Sequence, residues 1–173
     1  MRKDRGFSLI ELLIVVAIIL IIASIAIPNL IGAKIAADDG SAVNSLRTIN
    51  TAQVTYASMF PGVGYASTIA ALGPAGAGGC TTPSSANACL IDWSLSHATT
   101  GATAKSGYYF GMGVVAANGV NVGYTVGGAP ASFNHTGVRG FCSNEDGVLR
   151  YTPALNGSPV TTDAACGGYQ ALR

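Results

Sequence analysis

The chain has 173 residues, of which 49% are hydrophobic and only 10% are charged, and its net charge is +1. Globular domains usually carry about 25% charged residues, so this chain is poor in charge. High apolar content with little charge excludes an intrinsically disordered chain. The nearly balanced charge also excludes a nucleic-acid-binding protein that depends on a broad basic surface. The length allows one domain with an appendage.

The apolar residues are concentrated near the start of the chain. Residues 1–6 read MRKDRG, and residues 7–27 contain a single charged side chain, Glu11. As a helix, residues 7–27 would rise about 31 Å, which matches a hydrocarbon core of about 30 Å. The basic leader favours a cytoplasmic start under the positive-inside rule. We therefore expect this segment to enter a membrane.

Three interpretations of the apolar segment compete. The first is a secretory signal peptide with a small-x-small cleavage site at residues 24–26. The second is an ordinary single-pass anchor. The third must explain Glu11, because a carboxylate is unfavourable in a bilayer and gains nothing in a signal peptide or a plain anchor. Glu11 therefore indicates a function and a partner of opposite charge.

The spacing favours an α-amino group as the partner of Glu11. Cleavage after Gly6 would leave Phe7 as a positively charged N-terminus, one helical turn before Glu11. The pair can form within one chain or between two staggered copies, where it would set their register. Because an unpaired buried charge is heavily penalised, a stagger that isolates Glu11 in an apolar core is unfavourable.

Residues 6–12 read GFSLIEL, and this pattern resembles the cleavage and N-methylation motif of type IV pilins and pseudopilins. The similarity extends through Pro28 to about Phe60. It implies that a prepilin peptidase removes residues 1–6, that the Phe7 amine is methylated, and that Phe7 and Glu11 direct assembly. It also implies a self-assembled helical filament built from inner-membrane precursors. The further partners implied are an inner-membrane assembly platform, its motor ATPase and an outer-membrane secretin.

The apolar helical segment covers residues 7–28. A second helical part follows it and extends over residues 29–60. Its apolar stripe, interrupted only by Gln53, consists of Ala42, Leu46, Ile49, Tyr56 and Phe60. Pro28 lacks an N–H and predicts a kink, where the resemblance implies local melting during assembly. Residues 38–41 read DDGS and are either a solvated turn of helix or a break, and we expect a continuous helix.

The rest of the chain predicts a connecting region and a sheet. Residues 61–106 are rich in small residues and form the connection, with a helical turn at residues 68–72. Strand patterns occupy residues 107–112, 120–126, 138–143 and 148–152. We expect an α+β fold in which the long N-terminal helix packs on an antiparallel sheet of three to four strands within residues 107–173. The second face of that sheet is expected to be neutral and polar.

Four cysteines follow the apolar segment, at Cys80, Cys89, Cys142 and Cys166. An even number of cysteines after an export segment indicates disulfides in an oxidising compartment. Three connectivities are possible, and we favour sequential pairing because it closes two local loops. Pairing of Cys142 with Cys166 resembles the disulfide-bounded C-terminal loop of many pilins.

The sequence offers little support for catalysis. His97 and His135 stand apart from other metal ligands, so we interpret both as isolated surface residues. Oxygen donors for Ca²⁺ are a further possibility, because major pseudopilins carry such a site in their C-terminal loops. The candidates are Asn144, Glu145, Asp146 and Asp163. We interpret them as a solvated turn and expect no metal, no cofactor and no enzymatic activity.

The sequence favours a structural subunit of an extracellular, type IV pilus-like filament that begins as an inner-membrane precursor. One alternative is a pseudopilin that forms the periplasmic piston of a type II secretion system. The other is an exported or membrane-anchored binding module, for which the N-terminal segment serves only export. No nucleic-acid partner is expected.

Overall fold

The structure, a computed structural model, describes residues 7–80 and 82–172. The expected leader, residues 1–6, lies outside the described residues, and Gly6 of the cleavage site lies there with it. The chain divides into two compact units, Met1–Lys34 and Ile35–Arg173. Helix α1, Leu9–Met59, contributes residues to both units.

The second unit continues α1 with short helices and a sheet. In chain order the elements are α2 (Ile69–Leu72), α3 (Trp93–Ser96), a 3₁₀ turn (Gly101–Thr103), β1 (Tyr108–Ala117), β2 (Val120–Pro130), β3 (Gly140–Asn144), β4 (Arg150–Thr152), α4 (Asp163–Gly167) and β5 (Gln170–Ala171). The strands form one antiparallel sheet in the order β1-β2-β3-β4-β5.

The α+β architecture is confirmed, but the sheet has five strands among the described residues instead of three or four. The additional strand is β5, which pairs Gln170 with Tyr151 and Ala171 with Arg150. Two residues are too short to produce the alternating pattern from which a strand is predicted. The tail of the chain is therefore part of the sheet.

The buried stripe of α1 in the second unit forms one wall of the core. Ala42, Leu46, Ile49 and Tyr56 are all at most 1% exposed, and Phe60 is half-buried. They pack with side chains of the connecting region and of the core face of the sheet. The connecting region is thus a layer of the core, to which it contributes Ala66, Ile69, Leu72, Ala88, Ile91, Leu95 and Ala98.

Gln53, the polar residue in that stripe, is fully buried and fixes the start of the connecting region. Its side-chain oxygen accepts a hydrogen bond from the Ala66 N–H at 2.8 Å, and its Nε2 donates to the Ala66 carbonyl at 3.1 Å. A backbone segment that lies against a helix needs such partners, because an unpaired buried amide is costly. Gln53 therefore has a structural role inside the apolar stripe.

A two-residue turn joins β1 to β2. Asn118 and Gly119 have φ angles of 53° and 80°, the left-handed values that a two-residue hairpin loop requires. The turn allows β1 to extend to Ala117, beyond the predicted end at residue 112. A register shift between Val115 and Ala116 interrupts the pairing near the turn.

The second face of the sheet, which was expected to be neutral and polar, carries glycines and is covered by a strap, residues 155–161. The strap lies on Gly111, Gly113, Gly127 and Gly140. A Cβ on Gly127 would lie 2.3 Å from the Val160 carbonyl oxygen, and one on Gly113 would lie 2.1 Å from that of Thr161. The alternation of a strand places these glycines on one face, where the lack of side chains leaves room for the strap.

Replacement of Gly127 by alanine tests this packing. Because its Cβ would overlap backbone atoms of Val160, we expect Gly127→Ala to lower the free energy of unfolding by about 1–3 kcal/mol. Gly157→Ala is the matched control, since a Cβ on Gly157 in the same strap meets no atom within 4 Å. Denaturant unfolding of the full chain in detergent, followed by near-UV circular dichroism, gives both values. Equal stability of the two variants would contradict the packing of the strap on glycine.

Candidate functional site

The first unit presents an apolar helix without a covering layer of its own. From Phe7 to Lys34 every residue is exposed except Ala23, and Phe7 itself is 76% exposed. By length and composition, α1 contains a stretch apolar enough to cross a membrane. An apolar surface of this extent in water is strongly unfavourable, so the segment requires lipid or other apolar helices around it.

The carboxylate of Glu11 lies at the start of this helix and caps it. Its Oε2 accepts a hydrogen bond from the Ser8 backbone N–H at 2.9 Å, and the Ser8 carbonyl accepts the first helical bond from Leu12. Serine followed three residues later by glutamate is the sequence of a capping box, of which this contact is one half. The acidic side chain is also favourable at the positive end of the helix dipole.

The backbone near Pro28 is supported by polar side chains. Proline has no N–H, so it cannot bond to the Ser24 carbonyl one turn before it. Ser24 donates its hydroxyl to the Ile21 carbonyl at 2.7 Å, and Asn29 donates its side-chain amide to the Ile25 carbonyl at 3.1 Å. The helix continues through Pro28, and the predicted kink stays a prediction.

Comparison with known proteins matches the segment that carries these features. A family model described as the prokaryotic N-terminal methylation motif covers residues 1–27. This chain carries the prokaryotic N-terminal methylation motif. The motif includes the expected cleavage site between Gly6 and Phe7, the amine expected to be methylated, and Glu11. The assignment of cleavage and methylation to these residues stays a prediction.

Similarity to curated proteins extends a little beyond the methylation motif. The chain is 48% identical over 56 residues to type IV major pilin protein PilA of Myxococcus xanthus, covering 32% of this chain and 26% of that protein. It is 59% identical over 39 residues to type IV wide pilus major component PilA4 of Thermus thermophilus, 22% of this chain and 30% of that one. It is 43% identical over 56 residues to type II secretion system core protein G of Vibrio cholerae, 32% of this chain and 38% of that one.

These alignments cover less than two fifths of each of the three relatives. No solved structure matches the chain. The arrangement of the second unit therefore rests on its own contacts.

A buried polar cluster joins α1 to the sheet in the second unit. Asp39 is 5% exposed and accepts a hydrogen bond from the Tyr108 hydroxyl at 2.5 Å and another from the Arg139 Nε at 2.8 Å. Burial, together with the hydrogen bond to Asp39, raises the pKa of Tyr108 far above its ordinary value. The DDGS segment is thus continuous helix, as predicted, but Asp39 belongs to the core and not to a solvated turn.

Two disulfides hold the second unit. Cys80 is bonded to Cys89 in the connecting region, and Cys142 on β3 is bonded to Cys166 on α4. This is the sequential connectivity. The Cys142–Cys166 bond follows the strap and fastens α4 to the sheet, so it anchors one end of the layer that covers the glycine-rich face. Closing a loop of this size stabilises a fold by about 3 kcal/mol in the chain-entropy account.

The remaining candidate residues have other partners. His135 is exposed, whereas His97 is half-buried and stacks on Trp93 with 3.4 Å between ring centroids, so only His135 lies openly at the surface. Asp146 pairs with Arg150, whose hydrogen bond lowers the pKa of that carboxyl.

The other oxygen donors considered for Ca²⁺ also contact protein groups. Asn144 donates to Asp163, and Glu145 accepts from the Tyr124 N–H at 3.3 Å. Within residues 7–80 and 82–172 no three His, Cys, Asp or Glu side chains form a metal-binding group.

The sequence analysis did not predict the roles of two residues that contribute to these sites, and only one of the two had a local signal. Ser8 stands three residues before Glu11, and this capping-box spacing would have predicted the contact. Asp39 carries no such signal, because its partners Tyr108 and Arg139 lie 69 and 100 residues further along the chain.

The contribution of the Asp39 cluster can be measured with two adjacent tyrosines. Tyr108→Phe removes the donor to a buried carboxylate, and we expect it to lower the free energy of unfolding by about 1–3 kcal/mol. Tyr109→Phe is the matched control, because the Tyr109 hydroxyl contacts only the exposed Gly157 carbonyl at 3.3 Å. Its expected effect is below about 0.5 kcal/mol. Equal losses in chemical denaturation would show that the cluster adds nothing specific.

Proposed function

We propose that this protein is a structural subunit of a type IV pilus-like filament that assembles by packing of its N-terminal helices. The observation that carries the proposal is a single carboxylate, Glu11, at the start of an exposed apolar helix within a methylation motif. The names of two relatives, a type IV major pilin and a major component of a wide pilus, support it.

The apolar helix has two environments in this proposal. Before assembly it spans the inner membrane, and after assembly it lies in the filament core among copies of itself. Both environments remove the same apolar surface from water, so transfer between them need not cost hydrophobic free energy. The difference must come from packing and polar pairing, which gives Glu11 its importance.

Glu11 has different partners in the two states. In the single chain, its carboxylate accepts from the Ser8 N–H. After cleavage behind Gly6, the methylated amine of Phe7 supplies a positive charge, and in the filament this amine pairs with Glu11 of a neighbouring copy. An ion pair in an apolar core depends strongly on distance and geometry, so the pair selects one axial stagger.

The proposal assigns the remaining steps to other proteins. A prepilin peptidase removes residues 1–6, an inner-membrane platform with a motor ATPase extrudes the subunits, and a secretin passes the filament through the outer membrane. The chain itself is proposed to be non-catalytic, to need no cofactor and to end on the cell surface. The two disulfides stabilise the second unit in this oxidising location.

A pseudopilin of a type II secretion system is the second candidate. It is favoured by the 43% identity to type II secretion system core protein G of Vibrio cholerae over 56 residues. The long connecting region and the two disulfides favour the pilus. Surface filaments at native expression, with this chain as their main component, would decide for the pilus. Filaments confined to overexpressing cells would decide for the pseudopilin.

Processing provides the first test of the proposal. We expect Gly6→Val to leave an uncut precursor in the inner membrane, because the residue before the cleaved bond no longer fits the motif. In the unmodified protein, mass spectrometry of the mature N-terminus should give N-methylated Phe7. A mature start at Ile27 would instead support cleavage of an ordinary signal peptide and contradict the proposal.

Substitution of Glu11 separates helix capping from charge pairing. Glu11→Gln keeps an oxygen that accepts from the Ser8 N–H but removes the negative charge, whereas Glu11→Val removes both. We expect both variants to insert and fold normally and both to lower the filament yield in sheared fractions at least about tenfold, a loss that one lost ion pair in low dielectric accounts for. A normal yield with glutamine would leave only a capping role for Glu11.

A further inference from the structure

The second unit carries an exposed face on α1, opposite the buried stripe. This hydroxyl face of α1 consists of Arg47, Thr48, Thr51, Val54, Thr55 and Ser58, all exposed. Their spacing of three and four places them on one side of the helix, away from the buried stripe. Val54 is 59% exposed, a large fraction for an aliphatic side chain in a folded unit.

The hydroxyl groups of this face are already bonded within the helix. Each donates to the carbonyl four residues earlier: Thr48 to Asn44 at 3.0 Å, Thr51 to Arg47 at 3.1 Å, Thr55 to Thr51 at 2.9 Å, and Ser58 to Val54 at 3.0 Å. Contact with another surface would therefore leave no hydroxyl donor unpaired. The face then presents methyl groups, which favour close packing.

One charge stands on the hydroxyl face without an acidic partner. Of the described Lys and Arg side chains in the second unit, Lys105, Arg139 and Arg150 each pair with an aspartate. Arg47 contacts only the Asn44 side-chain oxygen, at 3.4 Å. It borders a shallow groove of about 320 Å³, lined also by Thr48, Thr51, Ala52, Thr55 and Leu90. The groove thus offers methyl groups beside a single cation.

The turn between β3 and β4 has the complementary chemistry. Glu145 is exposed, and its only hydrogen bond is a long one, 3.3 Å from the Tyr124 N–H. Val148, three residues later, is 41% exposed. The turn is held by Gly147, whose N–H donates to the Asn144 carbonyl at 3.0 Å, and by the Asp146–Arg150 pair. The turn thus presents Glu145, an acid without an ionic partner among the described residues, beside the aliphatic side chain of Val148, on a backbone that these bonds hold in place.

We propose that the hydroxyl face of one copy binds the β3–β4 turn of a second copy, with Arg47 paired to Glu145 and Val148 in the groove. This inference rests on the proposed function, since it assigns a contact between subunits of the filament. The two surfaces differ, so each copy offers one of each and the contact leads to an open chain of subunits and not to a closed dimer. It also neutralises two charges that find no ionic partner among the described residues of the unit.

Charge exchange tests the pairing. Full-length variants are expressed in a host with a type IV pilus assembly system, and sheared filaments are quantified against precursor in the membrane. Because like charges across an interface are strongly unfavourable, we expect Arg47→Glu and Glu145→Arg each to lower the yield about tenfold or more. The double variant should recover to within about twofold of the unmodified protein, since the pair is restored with its sign reversed.

A second double variant separates pairing from net charge. Arg47→Glu with Asp163→Arg has the same net charge as the double exchange, and we expect it to stay as low as Arg47→Glu alone. Normal membrane levels and intact disulfides establish that each variant is folded. Normal yields in both single variants, or equal rescue by both doubles, would overturn the pairing. Single losses without rescue would mean that the face binds another occupant, which also overturns it.

Failure of the inference is distinguishable from failure of the proposed function. If the unmodified chain forms no filaments in this host or at native expression, the proposed function is wrong. If it forms filaments and the charge exchange gives no rescue, only the contact between Arg47 and Glu145 is wrong.

Discussion

A helix that is apolar on every side cannot remain in water, and this constraint governs the rest of the molecule. Between Phe7 and Ile27 the only charge is Glu11, and the segment has no covering layer within its own unit. Lipid or other copies of the helix must therefore surround it. Both surroundings are equally apolar, so hydrophobic burial cannot by itself specify how the helices are arranged. A single carboxylate can, because leaving it without a partner costs far more than any change in apolar contact.

The second unit has the opposite requirement, because it must fold and stay soluble in water although it carries few charged residues. It buries Asp39 where two donors, Tyr108 and Arg139, are aimed at its carboxylate. It covers both faces of its sheet, one with α1 and the connecting region, the other with the strap and α4. The strap lies on glycines of the sheet, which it approaches with backbone atoms of Val160 and Thr161 and with the side chain of Leu155, and the Cys142–Cys166 bond lies just beyond its end. The strap and α4 thus form a third layer, beside the sheet and the layer of α1 and the connecting region, without large side chains on the glycine-rich face of the sheet.

The features that sequence predicts here are those with a local period or motif. The long helix, its buried stripe, the strand patterns and the GFSLIEL motif all depend on residues close together in the chain. The Asn118-Gly119 hairpin and the Ser8–Glu11 cap also had local signals, which were overlooked. The Asp39 cluster, the two-residue strand β5 and the strap had none. They arise from contacts between residues 15 to 100 positions apart, where no single segment reveals its partner. The glycines of β1 and β2 leave room for a covering segment but do not identify it.

Low charge has a consequence for association. Three ion pairs, Asp39–Arg139, Asp92–Lys105 and Asp146–Arg150, leave the second unit with few uncompensated charges, so long-range steering of an approaching copy is weak. Orientation then depends on groups without an ionic partner among the described residues, and the proposed contacts use three of them: Glu11 in the apolar helix, and Arg47 and Glu145 on the second unit. These groups act at different depths, the first in an apolar surrounding that salt screens poorly and the others at a surface that salt screens well. The proposed pairing of Glu11 should therefore persist at high ionic strength, while the proposed contact between second units weakens.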